Sequence, residues 1–128
     1  MLYTLGYSGW TPAAILAAAQ AQNAVVCDIR FAPRSRHPQW RQQQLAALLG
    51  ARYQPIQALG NRNYNNGGPI ALADYEAGKT AVGAILATGQ TVILLCACRE
   101  VTTCHRRIAA EQLAADFGLS IVHLMPPL

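Results

Sequence analysis

The chain has no uninterrupted apolar run near the length of a membrane span. Its first residues also lack the basic stretch and cleavable apolar segment of an export signal. These absences predict a soluble, cytoplasmic protein with no membrane partner, whose cysteines are reduced by default. Acidic residues are scarce, with six Asp and Glu against ten Lys and Arg and a net charge of +4. Lysine is scarcer still, because Lys79 alone stands beside nine arginines. Walker and dinucleotide glycine motifs are missing, and the two glycines of Thr4-Leu5-Gly6-Tyr7-Ser8-Gly9 are too few to replace them, so no cofactor is indicated. There is no internal repeat, low-complexity tract or linker. A length of 128 residues, 52% of them hydrophobic, is enough to bury one core and too short for two, which predicts a single domain over residues 1–128.

What is present is an alternation of strand-like and helix-like periods. Leu2–Gly6 reads as a short apolar strand. Thr11-Pro12 reads as an N-cap with proline at the first helical position, opening a helix to about Gln22. Ala24–Cys27, ending at Asp28, reads as a buried parallel strand. Pro38 opens a second helix with Leu45, Leu48 and Leu49 as its apolar stripe, and Arg52–Ile56 is a third strand. An Asn/Gly-rich loop from Gly60 to Pro69 follows. A third helix carries Tyr75, Val82, Ile85 and Leu86, is interrupted at Gly78 and closes at Gly89. Thr91–Cys96 is the clearest strand, β-branched and apolar throughout. A last helix runs from Cys104 to about Phe117, burying Ile108, Leu113 and Phe117 and stopping at Gly118, before a strand over Ser120–Leu124. The order βαβαβαβαβ predicts an α/β fold: a mostly parallel five-stranded sheet with helices on both faces.

In such sheets ligands bind beyond the carboxyl ends of the strands. Tyr7 and Ser8 follow the first strand, Asp28 and Arg30 the second, Asn61 and Arg62 the third, and Cys98 to Arg106 the fourth, so the polar residues are expected to gather at one rim. Six arginines (Arg30, Arg34, Arg36, Arg41, Arg52 and Arg62) face a single acid, Asp28, in the first half of the chain. Their planar forks suit phosphate or carboxylate, which favours an anionic partner over a merely solvated basic face.

These same segments carry a resemblance. Thr4-Leu5-Gly6-Tyr7-Ser8, Asp28-Ile29-Arg30 with Pro33-Arg34-Ser35-Arg36, Leu59-Gly60, and Leu95-Cys96-Ala97-Cys98 running on to Cys104-His105-Arg106 resemble, in order, the signature blocks of the bacterial and archaeal family called domain of unknown function 488. The resemblance implies a compact α/β fold with a site but no settled activity. Two positions depart from it: Tyr7 stands where the family often has His, and Cys98 where an acidic residue is expected.

The block Cys104-His105-Arg106-Arg107 is chemically the richest. With Thr103 as N-cap, Cys104 falls in the first turn of a helix, near Arg99 and Arg106, where a thiol tends toward thiolate and free backbone N–H groups can cradle phosphate. Cysteine-dependent phosphatases and sulfurtransferases place Cys six residues before Arg. Here Cys98 is followed at that spacing by Cys104, and Arg106 comes two residues later, so the spacing does not support either class. Cys27 and Cys96 read as small hydrophobes in apolar strands. For Cys98 and Cys104, filler, a zinc set with His105 and a reversible disulfide all remain open, although the spacing fits no zinc ribbon or finger. Asp28 can orient Arg30 or His105, act as a general base, or cap the loop through backbone N–H bonds. Arg34, Ser35, Arg36 and His37 read as a phosphate clamp, Trp40 as a core or stacking ring, and Tyr64 as a lid contact.

Two functions follow. One is an enzyme-like site for a phosphorylated or nucleotide-like small molecule. Asp28, Cys98, Cys104 and His105 supply its chemistry, and Tyr7, Ser8, Arg30, Arg34, Ser35, Arg36, Arg62, Arg99 and Arg106 hold the anion. The alternative is a non-catalytic nucleic-acid-binding module that uses the Arg-rich edge, distinguished from the first by a flat basic surface in place of a pocket.

Overall fold

The computed structural model describes residues 1–33, 35–97 and 104–127. Arg34, Cys98, Arg99 and Thr103 therefore lie outside the described residues, and with them every expectation that rests on their placement. The elements follow the expected order: β1 (Leu2–Gly6), α1 (Pro12–Ala21), β2 (Ala24–Asp28), α2 (Gln42–Leu49), β3 (Tyr53–Pro55), α3 (Tyr75–Leu86), β4 (Thr91–Cys96), α4 (His105–Phe117) and β5 (Ile121–His123). All strand pairs are parallel, in the order β3-β2-β4-β1-β5. This is a five-stranded α/β sheet with helices on both faces, as the alternation of periods implies. Among the described residues no helix is long and apolar enough to cross a membrane.

Register decides what each face buries. Leu2, Val25, Cys27, Val92, Leu94 and Cys96 point to the side covered by α3 and α4, where they meet Val82, Ile85 and Leu113. The alternate residues Tyr3, Leu5, Val26, Ile93 and Leu95 point to α1 and α2, against Ile15, Ala19, Leu45 and Leu49. Strands buried on both faces read as continuous apolar runs, which explains why β4 is the most legible element. Thr11 caps α1 as expected, its Oγ1 accepting from the N–H of Ala14 at 3.1 Å with Pro12 opening the helix. Gly118, at φ +66°, closes α4 in the left-handed region.

Several details differ from the sequence reading. Pro38 opens a short 3-10 turn, Pro38–Trp40, and α2 begins only at Gln42, because Arg41 takes an extended conformation between them. Gly78 does not interrupt α3: the helix runs through it, and the missing side chain leaves room for Leu59, which a Cβ would meet at 2.4 Å. The last helix starts one residue late, with Cys104 extended at φ −101° as the N-cap residue and no side-chain capping bond. Ile108 and Phe117 are only half-buried on it, since Arg106, Ala109, Ala110, Leu113 and Ala114 take the inner face.

Gly60 joins the two ends of the rim that matter below. It follows the 3-10 turn Gln57–Leu59, and a Cβ on it would lie 2.6 Å from the backbone N and Cα of Phe31, in the loop after β2. Gly60→Ala must therefore displace backbone, and we expect it to cost about 1–3 kcal/mol. In Gly83→Ala the new Cβ meets only the Phe117 ring, at 3.2 Å, and the helix gains roughly 1 kcal/mol in propensity. Urea unfolding of both variants, compared at unchanged m value, checks the contrast.

Candidate functional site

Every strand points its carboxyl end at the same rim, and β2 delivers the residues that organise it. Asp28, the last residue of β2, is 1% exposed. Its Oδ1 accepts from Nε of Arg30 at 2.8 Å and from the Arg30 backbone N–H at 3.2 Å. Its Oδ2 accepts from Nη2 of Arg30 at 2.6 Å and from the hydroxyl of Tyr53, on β3, at 2.6 Å. The guanidinium and carboxylate meet fork to fork, and Nη1 of Arg30 donates to the Trp40 carbonyl at 2.8 Å. Arg30 is 6% exposed, yet three of its five N–H groups have acceptors, so its charge is retained. Burial opposes that charge, but the bond to Asp28 and its negative charge more than offset this, holding the guanidinium above its ordinary pKa. Burial, with the Asp28 bond and charge, pushes the Tyr53 hydroxyl upward as well.

Aromatic rings close the other side of the guanidinium. Tyr7, just beyond β1, stacks on Trp40 with centroids 4.4 Å apart and planes 11° off parallel, and Cζ of Arg30 lies 5.5 Å from the Tyr7 centroid. Trp40 is thus a core ring that shelters Arg30, at 6% exposure, and Tyr7 remains half-buried.

On the opposite face of the sheet stands a second group. His105 Nε2 is 2.9 Å from the Ile29 carbonyl. A carbonyl only accepts, so Nε2 carries the proton and Nδ1 presents its lone pair, 3.9 Å from Sγ of Cys104. Burial holds the imidazole below its ordinary pKa, against the opposing effect of the Ile29 bond, with the Arg106 charge adding to the depression. Cys104 is 1% exposed, its Sγ 2.9 Å from that of Cys96, and Nη1 of Arg106 donates to Cys96 Sγ at 3.8 Å. Arg106 itself is 3% exposed. Burial, followed by the Asp28 charge, pushes the Cys27 thiol up to about 12, which suits an inert packing group.

The expected single cluster is therefore two clusters at one end of the sheet. Asp28, Arg30 and Tyr7 meet on the α1/α2 side, and Cys104, Arg106 and Cys96 on the α3/α4 side, with His105 reaching across to Ile29. Ser8 is half-buried in the turn after β1. Ser35 caps its own loop, its Oγ accepting from the His37 N–H at 3.1 Å. Arg36 and Arg62 are exposed.

Beside the first cluster runs an open groove in three adjoining compartments that share Pro33 and Gln42. One, of about 310 Å³, has Arg30 and Gln57 in its wall. A second, of about 430 Å³, is bounded by Phe31, Gln57 and Tyr64. A third, of about 250 Å³, lies against Ser35, Arg41 and Gln43. Of the lining residues, Arg41 is marked in the sequence only as one of the six arginines of the first half, and Phe31, Gln42 and Gln57 only by adjacency to Arg30, to Trp40 and to the start of the Asn/Gly loop. Arg41 is oriented by its Nε–H bond to the Ser35 carbonyl, at 2.9 Å.

A parallel α/β sheet with a polar groove at the carboxyl ends of its strands defines the class of protein, an α/β domain in which that edge is where ligands of such sheets lie. Residues 12–67 match the family model described as Domain of unknown function DUF488, which supports the family resemblance of the signature blocks. The matched segment contains Asp28, Arg30 and the whole groove. Comparison with curated proteins gives no match.

Two outcomes test this geometry. Asp28→Ala leaves the Arg30 charge buried and unpaired and is expected to destabilise by about 3–5 kcal/mol, whereas Tyr53→Phe, which removes one of several bonds, costs about 1 kcal/mol; denaturant titration separates them. His105, with its folded pKa below the ordinary 6.5, favours the neutral form. The unfolded chain then takes up the proton first as pH falls, so this stabilisation is complete above about pH 6.5 and declines below it. Unfolding midpoints between pH 7.5 and 5.5 should fall less in His105→Gln than in the parent, and His123→Gln measures the same-signed share of His123, depressed mainly by burial and by the Arg106 charge.

Proposed function

We propose that the chain binds a phosphorylated small molecule in the groove at the ends of β2 and β3. The observation that carries this reading is Arg30: a buried guanidinium, fixed by Asp28 and the Trp40 carbonyl, forms part of a compartment that opens to solvent. A cation held in place before its ligand arrives loses little side-chain entropy on binding. Arg41 adds a second guanidinium at the rim, oriented by Ser35. The compartments fall near the 300–1,000 Å³ range of small-molecule sites.

Asp28, His105 and Cys104 enter this reading as positioning residues. Asp28 aims Arg30, and His105 holds the carbonyl of Ile29, the residue before it. Cys104 is turned into the core beside Cys96, which is a poor stance for attack on a ligand in the groove. Tyr7 supports the guanidinium from behind. The exposed Arg36 and Arg62 contribute long-range attraction for an anion.

Thermal unfolding with ribose 5-phosphate and inorganic phosphate tests the reading. Saturable stabilisation is expected, and Arg41→Ala should weaken the apparent affinity for ribose 5-phosphate by about tenfold or more through loss of a charged hydrogen bond. No shift at millimolar ligand, or the same affinity in Arg41→Ala, overturns it.

A further inference from the structure

We infer that the groove takes a nucleoside monophosphate. This rests on the phosphate-binding reading above and extends it to the other end of the groove. The compartment continuous with that of Arg30 is aromatic: Phe31 and Tyr64 lie there with centroids 5.9 Å apart and planes tilted by 36°. Tyr64 is 54% exposed, an unusual state for a large ring.

It is nevertheless held in place from below. The Asn61 side-chain oxygen accepts from the N–H groups of Asn63 and Ala71, at 3.0 and 3.1 Å, and Arg62 N–H donates to the Ala71 carbonyl at 2.8 Å. These bonds pinch the loop at its neck and hold Tyr64 over the groove. An exposed ring kept beside a polar groove offers a stacking face to a planar, weakly hydrated group, and a nucleobase is the common biological partner of that kind that also carries phosphate.

Gln57 supplies a polar contact. Its Nε2 donates to the Phe31 carbonyl at 2.6 Å, which settles which end of the amide is nitrogen. The amide keeps its Oε1 acceptor and its second Nε2–H donor, on a side chain that lines both the aromatic and the Arg30 compartments. A donor and an acceptor side by side there can pair with the edge of a stacked base, its amino and carbonyl groups alike. The phosphate then lies toward Arg30 and Arg41, and the base toward Tyr64 and Gln57.

Isothermal titration of the full chain with AMP, ribose 5-phosphate and a single-stranded decanucleotide tests this. AMP should bind about tenfold or more tightly than ribose 5-phosphate. Tyr64→Ala, at an exposed position that leaves folding intact, should remove the advantage of AMP over ribose 5-phosphate without changing ribose 5-phosphate itself, and Tyr64→Phe should keep it. If ribose 5-phosphate binds but AMP is no tighter, the inference fails while the phosphate reading stands. A decanucleotide bound a hundredfold more tightly than AMP, with steep salt dependence, overturns it in favour of a polynucleotide surface. Absence of binding by every phosphate compound overturns both readings.

Discussion

The rim depends on one buried ion pair. Asp28 ends β2 with its carboxylate out of water, a state that carries a large desolvation cost unless the charge is paired and its lone pairs are filled. Arg30, two residues on, answers both demands, and Tyr53 from β3 fills a further lone pair. The guanidinium in turn needs an acceptor, and the Trp40 carbonyl provides it, which draws the loop before α2 across the strand ends. One carboxylate therefore ties together β2, β3, the 3-10 turn before α2 and, through the Tyr7 ring, the exit of β1. The orientation of the groove follows from this pair, since Phe31 and Pro33 are the residues that leave it.

The two sides of the sheet solve the same problem differently. On the α1/α2 side charge is neutralised by charge, and the rim stays polar and open. On the α3/α4 side sulfur replaces oxygen: Arg106 reaches Cys96, and Cys104 packs beside it, within a core otherwise made of aliphatic side chains. His105 connects the two by donating to the Ile29 carbonyl from the far side of the sheet. Its neutral form is the one that fits, since a protonated imidazole next to Arg106 would put two cations in a half-dry space.

Much of the fold is legible in the sequence because parallel strands buried on both faces leave unmistakable apolar runs, and Thr11-Pro12 and Gly118 punctuate helices by local rules. Gly78 was misleading, since a propensity argument sees a helix breaker where the structure needs a gap for Leu59. The gathering of polar residues at one end of the sheet was legible from strand order alone. Their division between two faces was not, because it depends on which side of each strand a residue faces at its last position. The pairing of Asp28 with Arg30 was one of several readings open in the sequence, since an aspartate two residues before an arginine can orient it, act as a base or cap the loop. Phe31, Gln42 and Gln57 are chemically ordinary residues, and only their placement around a groove sets them apart.

The strand order also bears on how the chain reaches this state. β4 lies between β1 and β2, so the first three strands to leave the ribosome cannot form a continuous sheet. β2 and β3 can pair early, but β1 has both edges open until residues some ninety positions later arrive. Closure of the sheet, and with it alignment of the Tyr7 ring over Arg30, is therefore a late event governed by long-range contacts, a topology that slows folding and prolongs exposure of an apolar strand. During that interval Leu2–Gly6 is a segment that a chaperone would have reason to hold.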